Sequence, residues 1–506
     1  MRRFIAASLA LPVTLAGLPA GAEIAADDVW ANGQALAEAS GGRQVATLNR
    51  SGNTVTVRDD ITTWSLPMGA GTVSYALSSY TMTEAADGTV RITYPLPLFL
   101  ALSATIPGEG TASVTFSISG DELVTIASGV PGAISYDTET GPLEIRLDTL
   151  DIPGGFDATV EMVLETDRTL TQTRVVEDTL TVVYSRMETG HTTTRFYLED
   201  GMGLVSETEI MGAPSVTTVN LGLEPGGSDL LNLAPALRNG LYVSVESETG
   251  GSDTKSLTTV DQQVIDRQST FSGPATTRLA LSDAGLMVDA DIDGLAVNLD
   301  QPDVLPFPIG FDLSSVSAGF LIPLLASTEA QPFTYALDLA DLRLGPSIWA
   351  LFDPDKSLPR TPGRLAIDLE GQVINGVDWL NFLALEDLDY VGPLPFSLEA
   401  FTLNELTVSA LDAIVTGSAA FRFDNADTTT YPDFPKPIGI ADFTLQGING
   451  VLEMMSDAGF IPSDALFGAR MGLGMVTTVA PGDDNLTSAI ELTEDGQIIA
   501  NGQRLR

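Results

Sequence analysis

The 506-residue chain contains no cysteine, one histidine and three lysines. Without cysteine there is no disulfide framework, no thiolate chemistry and no lipid-modified cysteine at a mature N-terminus. Zinc sites are built chiefly from His and Cys, so a lone His191 leaves zinc almost no donors. A Ser-His-Asp enzyme would have to run through that same His191, and no G-x-S-x-G elbow accompanies any serine. Apart from Lys255, Lys356 and Lys436 the positive charge is arginine, and 24 basic residues face 67 acidic ones for a net charge of −43. Such a field repels nucleic acid and anionic headgroups, because holding phosphates requires clustered Lys and Arg. Aromatic residues are only 7% and the chain ends in Arg506, which argues against an outer-membrane barrel with its aromatic girdles. No glycine-rich phosphate loop follows a strand.

The N-terminus carries an address. Arg2-Arg3 precede an apolar run from Phe4 to Gly17, and Ala20-Gly21-Ala22 places small residues at a cleavage position. Residues 1–22 are predicted to be a secretory signal peptide. The run is too short to span a bilayer and Glu23, Asp27 and Asp28 follow at once, so no stable membrane insertion is expected after cleavage. The expected location is the periplasm. Acidic chains are often disordered, but 44% apolar residues and a mean hydropathy of +0.18 supply enough surface for a core.

Period-two alternation dominates the rest. Val55 and Val57, then Val114, Phe116 and Ile118, then Leu143, Ile145 and Leu147 alternate with polar neighbours, as in half-buried antiparallel strands. Asp87-Gly88 and Asp495-Gly496 separate such runs and read as hairpin turns. Short helices are predicted over 27–39, 228–238, 347–352, 376–385, 450–458 and 463–473, as covers over sheet ends. Pro-aromatic segments such as 305–308, 392–396 and 431–435 mark edges or rim loops, since proline cannot donate to a ladder. The words Thr193–Asp200 and Thr276–Asp283 repeat, each followed by a Gly-Leu pair, and suggest two stacked hairpins. The predicted fold is mainly β: long antiparallel meander or hairpin sheets, curved or sandwich-like, with a few short covering helices. Glycine-rich stretches at 226–228 and 248–255 suggest an N-terminal region over 23–245 and a C-terminal region over 246–506.

Three stretches resemble a known family: Trp349-Ala350-Leu351-Phe352-Asp353-Pro354 with Leu358-Pro359-Arg360-Thr361-Pro362, Leu466-Phe467-Gly468-Ala469-Arg470-Met471, and the run from Glu491 to Arg504. With Asp28-Val29-Trp30-Ala31-Asn32 they resemble the DUF 2125 family of bacterial secreted proteins, a likeness that implies no catalytic residue. The hairpin rhythm, and phrases such as Leu403–Val408 before Ile414–Gly417, are more loosely similar to AsmA-like envelope proteins, whose sheets curl into a groove for lipid chains.

Two motifs bear on chemistry. Asp289, Asp291 and Asp293 precede Gly294, and Asp300 follows, which matches the spacing of a calcium loop rich in hard oxygen donors. The competing reading places these aspartates on the wet face of one strand, alternating with Val288, Ala290 and Ile292. Ser252 and Lys255 have the S-x-x-K spacing of serine–lysine enzymes but sit in a polar loop without a companion K-T-G. The expected protein is therefore a non-enzymatic binding or scaffolding component of the cell envelope, with no cofactor and with an apolar ligand, such as a lipid chain, or an envelope protein as its partner. The alternatives are a secreted hydrolase using paired carboxylates and a calcium-stabilised structural or surface protein. If a groove exists, Leu313, Val316, Phe320, Leu337, Leu339, Leu365, Ile367, Leu403, Leu406 and Val408 are the residues expected to line it; the bland alternative is that they form an ordinary core.

Overall fold

The computed structural model describes residues 23–155, 157–386, 395–432 and 434–506. The predicted signal peptide and residues 392–394 lie outside them. Strands take 61% of the chain and helices 12%, and every strand pairing is antiparallel. Most strands come as collinear halves separated by one to three residues. Gly110–Gly120 is followed by Leu123–Val130, and its neighbour Ala133–Thr140 by Leu143–Asp151. The pairs Leu143↔Gly120 and Val124↔Glu139 belong to one register, so the ladder runs straight across the interruption. The chain is thus a meander of long strands, each broken near its middle. The halves on one side of the breaks form a first wall, containing Gly110–Gly120, and those on the other a second wall, containing Leu123–Val130.

Thr54–Leu66 and Gln331–Leu344 each pair with both walls, which closes the pairing into a ring of 24 antiparallel strands. The ring is pinched along its whole length, because links of one to three residues tie the walls together at every break. Thirteen long strands at ~4.8 Å spacing give a run of roughly 60 Å. Beyond it Gly363–Asn375, Phe396–Ala410, Ala413–Asp424, Lys436–Gln446 and Asn485–Leu492 continue the sheet.

Seven of the breaks fall at Gly141-Pro142, Asp167-Arg168, Gly190-His191, Ala213-Pro214, Gly250-Gly251, Gly273-Pro274 and Asp293-Gly294. Here the ladder slips phase. The Asp167 N–H donates to the His191 carbonyl, and the Gly190 N–H to that of Arg168. The same doubling joins Ala213 to Gly251 and Gly250 to Pro214. In a regular ladder bonded pairs alternate with unbonded ones, and bonded pairs of one strand pair all face one side. Two consecutive bonded pairs therefore reset the sidedness by one residue. Even-numbered Leu164 of the first wall and odd-numbered Thr171 of the second then face the same way. In Thr54–Leu66 the slip occurs at Asp59 (φ 54°): Val55 and Val57 are buried before it, Asp60 and Thr62 after it.

Helix α1 (Ala26–Ala39) packs Val29 on Val55, Val57, Met82 and Val90, and its Asn32 bonds Tyr136 and Glu177, all in the second wall or its shared strand. Ser40, its C-cap, accepts a bond from Trp64 Nε1 on the first-wall half of Thr54–Leu66. A 14-residue helix spans ~21 Å, and α1 lies across the same face of both walls at this end; this face is the inward one, its surface the trough, and the line of breaks the fold line. Helix α2 (Ala234–Arg238) forms a second small core with Leu241 and Leu325 at the rim of the second wall. Helices α3 (Pro346–Phe352), α4 (Phe382–Glu386), α5 (Ile448–Asp457) and α6 (Ser463–Val476) complete the described helices.

Four of the six predicted helices form nearly as expected. The segment 376–381 does not, because its backbone bonds to neighbouring loops: Trp379 N–H to the Leu324 carbonyl, and the Leu233 N–H to that of Leu380. Residues 228–233 are likewise drawn into a turn around Asp229, leaving only α2 helical. The sandwich-like alternative does not form, since neither wall buries the other's face. The accessible surface is 28380 Å², against about 18,000 Å² for a compact protein of this mass. Residues 245 and 246 are adjacent positions of Tyr242–Thr249, which pairs on both sides.

Candidate functional site

The two inward faces form one surface, and its composition sets it apart. Between Val90 and Ile322 the inward strand positions of both walls include no Lys or Arg, and only Glu177, Asp200 and Asp266 are acidic. The outward positions carry the charge, in exposed pairs such as Arg195–Glu165 (3.0 Å), Arg186–Glu188 (2.8 Å) and Arg278–Glu246 (2.8 Å). Alternation alone produces this split once the phase slip has aligned the two walls.

Inward Val90, Ile92, Ala127 and Ile134 are buried in the core with α1, but many other inward apolar side chains are not packed away. Leu102 (39%), Met187 (40%), Ile210 (38%), Leu279 (39%) and Ile322 (47%) are all exposed. The groove residues expected from sequence lie on this same face: Val316 pairs with Leu339, Leu365 with Leu339 and Val408, and Ile367 with Leu406. Of the expected set only Leu313 is fully buried, and Val408 is 40% exposed. An ordinary core would have buried most of them.

The trough is not uniform. Toward α1 the first wall presents Leu98, Leu100, Phe116 and Ile145. In mid-section it presents hydroxyls, with Ser206 paired to Thr258 (3.2 Å) and Thr208 donating to Ser256 (3.1 Å). The second wall presents Val219, Val245 and Leu279 at the depth of Thr208 and Ser256, and hydroxyls nearer the line of breaks, where Thr217 pairs with Ser247 (3.1 Å). Asp266, opposite Thr258, has a buried Oδ1 with no partner among the described residues.

The α1 end is closed by polar groups under cover. Tyr80 Oη donates to Asp60 Oδ2 (2.9 Å) and Gln44 Nε2 to Asp60 Oδ1 (2.9 Å). Burial pushes the phenols of Tyr80 and Tyr136 well above the ordinary tyrosine range and that of Tyr94 up to about 12. Asn32 Nδ2 donates to Glu177 Oε1 (2.5 Å), and Tyr136 Oη to Asn32 Oδ1 (2.8 Å). Along the second-wall rim, Arg238 grips Asp378 and the Ala326 N–H donates to the same carboxylate (2.7 Å). These contacts join three rim loops into one cover.

The calcium-loop aspartates do not gather. Asp289 and Asp291 point outward from Gly285–Ile292, and Asp293 lies on the fold line. Asp300 lies in the first wall opposite Arg267, seven residues and roughly 20 Å along an extended strand. Partial burial raises the Asp289 carboxyl, opposed by Arg278, its cross-strand partner. Among the described residues no three His, Asp or Glu side chains form a metal-holding group. Ser252 and Lys255 occupy opposite faces of Ser252–Val260, which separates the S-x-x-K pair. His191 sits on the fold line, exposed beside Asp167 (3.3 Å). The repeated words begin two hairpins in opposite walls, which do not pair with each other. A shallow depression of about 760 Å³ on the outer first wall is lined by Arg195, Tyr197, Glu207, Lys255 and Arg267.

No family model matches the chain, and no curated protein matches it either. No described helix is long and apolar enough to cross a membrane. The feature that sequence reading missed is the fold line. Its only signal was a column of Gly, Pro and Asp pairs that look like hairpin turns.

Proposed function

We propose that this chain is a non-catalytic binding protein of the bacterial periplasm that holds a hydrocarbon chain along its trough. One observation carries the reading: a surface nearly free of charge, running through a strongly acidic protein, is left uncovered by the described helices beyond the end that α1 closes. Water against such a face is costly, and each CH₂ moved onto it gains at most about 0.8 kcal/mol. A chain of twelve carbons offers roughly 10 kcal/mol gross, enough to survive the ordering costs of binding. The signal-like N-terminus and the resemblance to the DUF 2125 and AsmA-like families fit an envelope role.

Native mass spectrometry of protein taken from its own periplasm tests this directly, and a co-purifying lipid mass is expected. Delipidated protein should also take up a fluorescent alkyl probe, and Leu279→Asp or Leu339→Asp should abolish uptake while circular dichroism stays unchanged. A folded wild type with neither bound lipid nor probe uptake overturns the reading.

A further inference from the structure

We propose that the trough selects uncharged, hydroxyl-bearing amphiphiles, such as a monoacylglycerol or an alkyl glycoside, over fatty acids and anionic phospholipids. The inference rests on the trough being a hydrocarbon-chain site and adds the chemistry of the headgroup.

In mid-section the two walls differ. Thr208 and Ser256 line the first at the depth where Val219, Val245 and Leu279 line the second. Nearer the line of breaks both walls carry hydroxyls, Thr254 on the first and Thr217, Ser247 and Thr277 on the second. A ligand lying at the depth of Ser256 meets hydroxyls on one side and hydrocarbon on the other. The cross-strand pairs Ser206–Thr258 and Thr208–Ser256 each use one donor, which leaves oxygen lone pairs able to accept from a ligand O–H. Asp266 extends the same patch, and its buried Oδ1 has no donor among the described residues. A small rotation of the side chain would turn this carboxylate to an alcohol or sugar hydroxyl, which can donate to it; a carboxylate or phosphodiester has no proton to give and adds a like charge.

No inward Lys or Arg in the two walls offsets an anionic headgroup, and the chain as a whole carries −43. An anion drawn into this trough would shed water without gaining a partner. A neutral hydroxylated head exchanges its water for the hydroxyl wall while its chain lies on the apolar one.

Calorimetric titration of delipidated protein with monolauroylglycerol, dodecyl glucoside and laurate at neutral pH tests the inference. The two neutral ligands should bind at least about tenfold more tightly than laurate. Asp266→Asn, and separately Thr254→Val with Ser256→Val, should shrink that advantage to about threefold or less without weakening laurate. Each variant's melting temperature confirms folding. Laurate binding as tightly as the neutral ligands, or selectivity untouched by these substitutions in folded protein, overturns the selectivity while leaving the chain site standing. Binding of none of the three overturns the chain site itself.

Discussion

Asp60 shows at residue scale how the trough end is held. Its carboxylate is 2% exposed and takes donors from Tyr80 and Gln44, so removing one leaves a buried acceptor unsatisfied. Tyr80→Phe should lower the unfolding free energy by about 1–3 kcal/mol, measured by urea denaturation. The buried phenols also set an alkaline limit. Tyrosines in the unfolded chain ionise near pH ~10, whereas Tyr94 in the folded protein does so at about 12 and burial raises Tyr80 and Tyr136 as well. The folded state therefore holds more protons in that window. The stability gained is complete below about pH 10 and is lost as pH rises through the folded values. Phenolate absorbance should thus show a group of late-titrating tyrosines that ionise together with unfolding. Asp353 is a second such residue. It is buried, accepts from the Ser357 and Leu358 N–H groups, and pairs with Arg360 (2.8 Å), whose guanidinium lies 4.0 Å above the Trp349 ring. Burial opposes its charge, but those hydrogen bonds outweigh it and hold its carboxyl below the usual range. The Trp-Ala-Leu-Phe-Asp-Pro stretch is in this structure a clasp on the chain after α3. Asp353→Asn should lower the melting temperature at neutral pH and have less effect as acid protonates the wild-type carboxyl.

At the scale of elements, alternation was legible and continuity was not. Val114, Phe116 and Ile118 announce their strand and its inward face directly. Gly141-Pro142 and Asp87-Gly88 look alike in sequence, yet the first continues a strand across the fold line and the second reverses it. Local turn chemistry permits both outcomes; only cross-strand pairing decides between them. The same ambiguity made Asp289-Ala290-Asp291-Ile292-Asp293-Gly294 look like a loop. The wet-face reading of Asp289 and Asp291 followed from alternation, as did the shared face of Val316, Leu339 and Val408. Side-chain-free corners let the ladder slip. At Gly251 (φ 112°) a Cβ would run into the Ser272 carbonyl, and at Gly273 into that of Asp293. Gly251→Ala should therefore cost about 1–3 kcal/mol in denaturant unfolding, through both positive φ and the clash. A Gly132→Ala control, also at positive φ but with open space around its Cβ, should cost less.

Charge is partitioned over the whole molecule, the arginines and most acids outside and mainly hydroxyls and hydrocarbon within. A thin folded sheet has little depth in which to dilute its own field, so an excess of 43 negative charges repels itself across the outer faces. Salt screens that repulsion over a Debye length of about 10 Å at 0.1 M. Raising NaCl from about 10 mM to about 0.5 M should accordingly raise the melting temperature steadily. The same experiment weighs calcium against generic screening. Asp289 and Asp291 face outward beside Arg278 while Asp300 lies in the other wall, so no single ion reaches all of them. At matched ionic strength calcium should raise the melting temperature no more than magnesium does, and chelator should leave it unchanged. A calcium-specific rise abolished by Asp291→Asn would mean that these side chains converge in solution, and the partition into a charged exterior and an uncharged trough would then include a built cation site.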